Sequence, residues 1–248
     1  MKKLMVFALA TLCSVSMSAQ DIKTILGAND YKEALNMIKA GEASLSNENK
    51  AKAYNKVVDL ALDKFLKEQV TKADPAAMYD AAEAAIQAAL ECDKYDNMPN
   101  AKGKIAPKFH KKNQETLWPL RVNLINAGQD AGNAQDTKAA SEYFSLYVET
   151  ATDKLFADRD VAKMPDQYLG QIARFAAIYA FQDKNMEKAN AYCDVALNDT
   201  ASYKDALELK MYLMQQTLKN REDSVKCLPK FETLYAKDKS NAILTNLA

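Results

Sequence analysis

The chain has 248 residues, of which 48% are hydrophobic, and it carries 33 basic and 33 acidic side chains. This charge balance excludes the strongly basic surface that is typical of nucleic-acid-binding proteins. The length is sufficient for one large domain or for an extended array of repeats.

The first nineteen residues have the pattern of a secretory signal peptide. Two lysines near the start precede an apolar core over residues 4–12 and mostly small residues over 14–19. A membrane-spanning helix needs about 20 apolar residues, so this segment is too short to be one. Cys13 raises the alternative of a lipoprotein signal, but the leucine directly before it does not fit that pattern. We therefore expect cleavage after Ala19, or after Ser18, and export, most simply to a Gram-negative periplasm.

Helical patterns fill residues 20–92, which we interpret as N-terminal helical hairpins. A short helix over residues 31–40 and a long helix over 47–70 carry apolar residues at helical spacing. Asp74, followed directly by a proline, is a strong signal for the start of the next helix. That helix extends to about residue 92 and is rich in alanine, so its neighbours are expected to approach closely.

Residues 93–112 break the helical pattern with two prolines and a glycine. They predict the longest loop, at the seam between the hairpins and a second part over residues 113–248. Pro119 is expected to interrupt or kink the helix around it. After a further helix over the second half of "AGQDAGNAQDTKAASEYFSLYVETA", helices alternate with short turns. They are predicted at about 167–182, 186–198, 203–219 and 222–237.

The cysteine, histidine and acidic residues do not form a recognisable catalytic or metal-binding motif. Cys92, Cys193 and Cys227 are far apart and lie in apolar helical patterns, which favours buried thiols over a disulfide or a zinc site. His110 is the only histidine, and no orienting carboxylate or nucleophile is near it in sequence. The abundant acids are interpreted as solvated helix faces, with a carboxylate pair among them as the alternative. We predict no enzyme activity, no cofactor and no metal.

A basic stretch surrounds the histidine. It comprises Lys102, Lys104, Lys108, Lys111 and Lys112, with Phe109 inside it and Trp118 after it. We interpret these lysines as part of a solvated loop, because exposed lysines need no ligand. Binding of an anionic partner is the alternative.

A period of 34 residues runs through the last third of the chain. Phe175, Leu209 and Ile243 lie 34 residues apart, and so do Cys193 and Cys227. The stretches "FQDKNMEKA" and "TLKNREDSV" fall in the gaps between successive predicted helices. Self-similarity at a fixed period is the signature of a repeat protein.

These stretches resemble the tetratricopeptide repeat (TPR) family, whose units are helix-turn-helix pairs of 34 residues with small residues where the helices touch. In "DKNMEKANAYCDVAL", Ala189 and Ala196 take the small positions and Cys193 the bulky one. "ANDYKEALNMI" is similar, with Ala34 in the small position, and "DTKAASEYFSLY" is a weaker match. Pro229 departs from the pattern and is expected to kink or shorten its helix.

The resemblance implies an all-α fold, a right-handed α-solenoid of antiparallel helix pairs that is divergent over residues 47–127. An ordinary, non-repeating helical domain is the alternative. The tail "DKSNAILTNLA" resembles the opening of another unit that is not completed. We therefore expect either a longer protein, or packing of this end against a partner, including self-association.

The resemblance also implies that ligands bind a concave face made by the first helices of the repeats. Ten residues are assigned to that face: Gln171, Arg174, Ile178, Phe181, Gln182, Asp205, Glu208, Tyr212, Gln215 and Gln216.

The function that we expect is a non-catalytic scaffold for protein–protein interaction or assembly. Its partner is expected to be a protein or peptide, with no nucleic acid and no membrane span. The alternatives are the helical part of a larger periplasmic enzyme, or an accessory protein that binds a solute or glycan through exposed aromatic residues such as Trp118 and Tyr212.

Overall fold

The computed structural model describes residues 22–100, 102–237, 239 and 243 of the chain. Over these residues the fold is all-helical and contains no strand, which confirms the predicted class. The residues predicted to form a signal peptide and most of the expected incomplete unit lie outside the described residues. The helices are α1 (Ile22–Leu26), α2 (Tyr31–Gly41), α3 (Asn47–Thr71), α4 (Pro75–Asp96), α5 (His110–Leu117), α6 (Val122–Asn133), α7 (Thr137–Ala151), α8 (Lys154–Ala157), α9 (Leu169–Gln182), α10 (Met186–Ala196), α11 (Tyr203–Gln215) and α12 (Arg221–Lys237).

Side-chain caps determine where many of these helices begin. Asp74 accepts a hydrogen bond from the backbone N–H of Ala77, and the residue after Asp74 is a proline, the first residue of α4. A capping oxygen satisfies one of the amide groups that the first helical turn leaves unpaired. The same arrangement occurs before α2, α3, α7, α8 and α10, where the capping residues are Asp30, Ser46, Asp136, Asp153 and Asn185.

The connection between α4 and α5 is shorter than residues 93–112, the range that the sequence predicts. Helix α4 continues one turn further, to Asp96, and the backbone N–H of Asn97 donates to the carbonyl of Asp93. Helix α5 already begins at His110, so the connection covers residues 97–109. The helix extends beyond residue 92 because no proline interrupts it there, and the first proline of this region comes three residues after Asp96.

The two internal prolines act differently. Pro119 begins a 3₁₀ turn, Pro119–Arg121, between α5 and α6, so the predicted interruption is confirmed. Pro229 lies inside α12, which continues to Lys237. Of the two expected effects, shortening of the helix was wrong, and a kink stays a prediction. An internal proline removes one backbone hydrogen bond and its ring crowds the carbonyl four residues earlier, so Pro229 lowers the stability of α12 without ending it.

Helices pack against their near neighbours in the chain. The closest pairs are α3 with α4, α6 with α7, and α9 with α10, and α7 packs in turn on α9. Helix α11 lies against both α9 and α10, and α3 against both α1 and α2. The pairs are thus connected into one continuous helical assembly along the chain.

The core has two parts that meet at α11. The main cluster extends from Ile25 to Leu213 and contains many alanines at helix crossings, including Ala189 and Ala196, both of which are fully buried. A smaller cluster lies between α11 and α12. Its buried members are Leu207, Met211, Met214, Cys227, Phe231 and Ile243.

Candidate interaction surface

The ten residues that the resemblance assigns to a ligand-binding face lie on α9, on α11 and directly after α11; we call this surface the α9–α11 face. Nη1 of Arg174 lies 3.8 Å from Oδ2 of Asp205. The rings of Phe181 and Tyr212 meet edge to face, with centroids 5.5 Å apart and an interplanar angle of 78°. Both contacts join residues that are 31 positions apart, and they follow in the same order along the two helices. Helices α9 and α11 therefore run side by side in the same direction.

The remaining members of the face follow helical spacing on their own helices. Gln171, Gln182, Glu208, Gln215 and Gln216 are exposed. Ile178 is half-buried. Their positions on two adjacent helices, or directly after one of them, bring these six residues to one surface.

The chemistry of the α9–α11 face suits recognition of another molecule. Tyr212 is 46% exposed, although it already packs on Phe181. Such an aromatic ring offers a large, stiff contact area together with a hydroxyl group, a combination that is enriched at interfaces. The Arg174 guanidinium lies 4.9 Å from the centre of the Phe175 ring and near the exposed Asp205 carboxylate. Since the Asp205 side chain is 61% exposed, this ion pair is expected to contribute little stability.

A second polar centre, which the sequence reasoning missed, surrounds His110. Its Nδ1 lies 2.5 Å from Oδ1 of Asp93 and its Nε2 lies 3.1 Å from Oδ1 of Asp158. No carboxylate lies near His110 in sequence, but the fold brings two to it, Asp93 from α4 and Asp158 from the residue directly after α8. Partial burial lowers the pKa of His110, but the two carboxylates outweigh it and the net shift is upward.

The last turn of α4 positions this centre. Asp93 and Asp96 are three residues apart and both are buried. Oδ2 of Asp96 accepts hydrogen bonds of 2.7 Å from the backbone N–H groups of Lys108 and Phe109, directly before α5. Two acids at the carboxyl end of a helix oppose its dipole, so they need donors there. The Asp-x-x-Asp spacing in the sequence was a visible signal for Asp93 and Asp96. Nothing in the sequence pointed to Asp158.

The basic stretch is partly neutralised by acids from α3. The Lys108 ammonium lies 3.1 Å from Glu48, and the Lys112 ammonium lies 3.0 Å from Asp59. Lys102, Lys104 and Lys111 are exposed. These ion pairs agree with the interpretation of a solvated surface more closely than with a dedicated anion site.

Trp118 is not available to bind a glycan. It is only 7% exposed, and its ring stacks against two guanidinium groups, Arg121 at 4.1 Å and Arg159 at 3.9 Å from the ring centre. The expectation of an exposed Trp118 was wrong, because tertiary contacts from residues before α9 cover it. Tyr212 is exposed as expected.

The three cysteines that follow the predicted signal peptide are buried and unbridged, as predicted. Burial raises the pKa of the Cys193 thiol to about 12, and it also raises that of Cys92. A thiol with such a pKa is a poor nucleophile at neutral pH. These cysteines therefore act as small apolar side chains in the core.

A polar cleft of about 400 Å³ separates α7 from the connection between α9 and α10. The Ser141 hydroxyl donates to Oδ2 of Asp183 at 2.8 Å, and the Lys188 ammonium lies 2.7 Å from Glu149 at the rim. Among the described residues that line this cleft, no buried side-chain nitrogen or oxygen lacks a hydrogen-bond partner, so none needs a ligand there.

Among the described residues, no group of three or more histidine, cysteine or acidic side chains is arranged to hold a metal ion. Within the same part of the chain, no helix has the length and apolar character to cross a membrane. Comparisons of the chain with protein-family models, curated proteins and solved structures found no match.

Proposed function

We propose that this chain is an exported, TPR-like α-solenoid that acts as a non-catalytic scaffold, and that a protein or peptide partner binds the α9–α11 face. The observation that carries the proposal is the side-by-side arrangement of α9 and α11, which is documented by the Arg174–Asp205 and Phe181–Tyr212 contacts. Equivalent helices of stacked repeats are expected to lie in this way, and their shared surface is where such proteins bind ligands.

Packing at the 34-residue period supports the repeat interpretation. Cys193 in α10 and Cys227 in α12 are 34 residues apart and both are buried. Ala189 and Ala196 are fully buried in α10, whose closest neighbour is α9. Small side chains at such crossings permit helices to approach closely, which is the role that the resemblance gives them.

The test is affinity capture from the envelope extract of the source organism, with matched variants as bait. Tyr212→Ser and Glu208→Lys alter the α9–α11 face. Leu66→Ser on α3 and Glu115→Lys on α5 make the same kinds of change at exposed positions elsewhere. We expect the wild type and both control variants to retain the same protein, and the face variants to retain it about tenfold less.

Two results would contradict the proposal. Equal retention by the face and control variants would place the partner on another surface. Recovery of no protein, together with thermal stabilisation of the chain by a small molecule, would instead favour a solute-binding protein.

A further inference from the structure

We propose that His110 is a pH-sensitive latch, which fastens residues 153–159 to helices α4 and α5 while both nitrogens of its ring carry hydrogens. We call residues 153–159 the α8 segment. This regulatory role goes beyond the proposed scaffold function and does not depend on it.

The geometry of the ring requires the charged form for both contacts to hold. Each ring nitrogen of His110 faces a carboxylate oxygen, Asp93 at 2.5 Å and Asp158 at 3.1 Å. An imidazolium donates from both nitrogens, whereas a neutral imidazole has one donor and one lone pair. Loss of a proton therefore turns one of the two attractive contacts into a contact between two acceptors.

The contact with Asp158 is the one that opens. The Asp93 side chain is 4% exposed, and it also accepts a hydrogen bond of 2.9 Å from the Asn97 amide. The Asp158 side chain is 71% exposed, so water replaces the imidazole there at little cost. Gln114 on α5 donates hydrogen bonds to Asp158 and to the carbonyl of Leu155, at 2.6 and 2.8 Å. It is therefore the second side chain, after His110, that joins the α8 segment to α5.

The charges around the ring are mainly acidic. Asp93 faces it from α4 and Asp158 faces it from the α8 segment, while Asp153, the cap of α8, lies close enough to feel the charge of Asp93. On the histidine's own helix, Lys111 is exposed and the Lys112 ammonium pairs with Asp59. When His110 loses its charge, these acids lose the cation that lies between them.

The sign of the pH dependence follows from the raised pKa of His110. The contribution of the latch is fully present below the ordinary histidine value of 6.5 and is lost as the pH rises through the pKa of the folded state. The latch is therefore closed at a pH below 6.5 and opens as the pH rises through the raised pKa of His110.

The α8 segment has a natural reporter. Arg159 stacks on Trp118, with its guanidinium carbon 3.9 Å from the ring centre. The chain contains one tryptophan and one histidine, so the fluorescence of the first and the imidazole NMR signals of the second are each unambiguous. Opening of the latch moves Arg159 relative to the indole ring and changes its emission.

The experiment follows both signals in the full chain, prepared without a histidine tag, from roughly pH 5 to pH 9. We expect the imidazole to titrate above 6.5 and the Trp118 emission to change with the same midpoint. Asp158→Asn is expected to lower that midpoint, and His110→Gln to remove the change in emission. Glu115→Gln, which removes an exposed acid from the same helix, serves as the matched control and is expected to leave both signals unchanged.

A second control separates the latch from another group that titrates in this range. Burial raises the pKa of Glu83 on α4 to about 7, so Glu83→Gln is included and is expected to leave the Trp118 midpoint in place. The proposal is overturned if the imidazole titrates at or below 6.5, if Asp158→Asn leaves the midpoint unchanged, or if the emission stays constant through the imidazole titration. Should His110→Gln fail to fold, the wild type and Asp158→Asn still decide, because the Asp158 carboxylate is exposed.

Discussion

Arg121 and Asp166 form an ion pair of 2.9 Å in which both side chains are almost completely buried, at 2% and 4% exposure. The second carboxylate oxygen of Asp166 accepts a hydrogen bond of 2.5 Å from the Tyr147 hydroxyl. Arg121 also donates to Thr150 and to the carbonyl of Tyr147, at 2.9 and 2.7 Å. This network ties the residues before α9 to the 3₁₀ turn before α6 and to α7.

The first prediction concerns this network. Asp166→Asn leaves the Arg121 guanidinium buried without its counter-charge, so we expect the free energy of unfolding to fall by about 3–5 kcal/mol. Urea denaturation followed by circular dichroism measures the change. The control is Asp160→Asn, because the Asp160 carboxylate pairs at 3.2 Å with Lys163, whose side chain is 83% exposed. For that variant the free energy of unfolding is expected to fall by less than about 1 kcal/mol. Equal losses in the two variants would show that the buried pair stabilises the fold no more than the exposed one.

The second prediction concerns the crossing of α9 and α10. Ala189 is 0% exposed, so Ala189→Leu is expected to overpack the core and reduce stability by roughly 1–3 kcal/mol. Ala191 is exposed on the same helix, and Ala191→Leu is expected to change stability by no more than about 0.5 kcal/mol. Thermal denaturation of both variants checks the difference, and a stable Ala189→Leu variant would remove the best evidence for a close helix crossing there.

The third prediction compares two glycines of α6. A Cβ atom at Gly128 would lie 2.6 Å from the buried Phe144 ring, so in Gly128→Ala the ring or its helix α7 must shift, and we expect the protein to be destabilised by about 1–3 kcal/mol. At Gly132 the nearest obstacle is the hydroxyl of Tyr179 at 2.8 Å, which is the far end of a side chain that can move. Gly132→Ala is therefore expected to be neutral, or stabilising by up to about 1 kcal/mol through helix propensity. Denaturant midpoints measure both, and a reversed order would contradict this account.

The fourth prediction concerns Glu83 and pH. Burial, followed by the charges of Asp80 and Glu142, raises its pKa to about 7. The folded protein then holds a proton that the unfolded chain releases, so stability falls as the pH rises from the ordinary value of 4.5 to about 7. Glu83→Gln removes this penalty and is expected to be about 2 kcal/mol more stable than the wild type at alkaline pH, with little gain near pH 4.

The companion variant to this test is Glu142→Gln. It removes one of the two neighbouring charges, so it is expected to lower the pKa of Glu83 and reduce the pH dependence without abolishing it. Stability measured by urea denaturation at several pH values checks both variants. If Glu83→Gln were more stable than the wild type by the same amount at every pH, titration of Glu83 would be ruled out as the cause.

Local signals made the helices predictable. Asp74 and the proline after it fix the start of α4, and Pro119 ends α5, because capping and the missing proline amide act over a few residues. Side chains on α9 and α11 could also be placed from sequence. Arg174 and Phe181 are seven residues apart, or two helical turns, and so are Asp205 and Tyr212. In the fold the first members of the two pairs contact each other, and so do the second members.

Contacts between distant segments were not predictable. Asp158 is 48 residues from His110, and Arg159 is 41 residues from Trp118, yet both pairs meet because α8 folds back onto α4 and α5. The sequence of one protein alone gives no signal that shows which distant segments lie close together in the fold. The same limit explains why Trp118, which was interpreted as exposed, is buried and contacts the guanidinium groups of two arginines.

Helix α11 belongs to both parts of the core, with Leu213 in the main cluster and Leu207, Met211 and Met214 in the smaller one. The buried side chains of α12, Cys227 and Phe231, belong only to the smaller cluster, so we expect α12 to detach without exposing the main cluster. A protease that cuts the connection at residues 216–220 would release α12 and leave the body of the protein folded. The apolar side of α11 would then be uncovered, and the trimmed protein would become prone to aggregate.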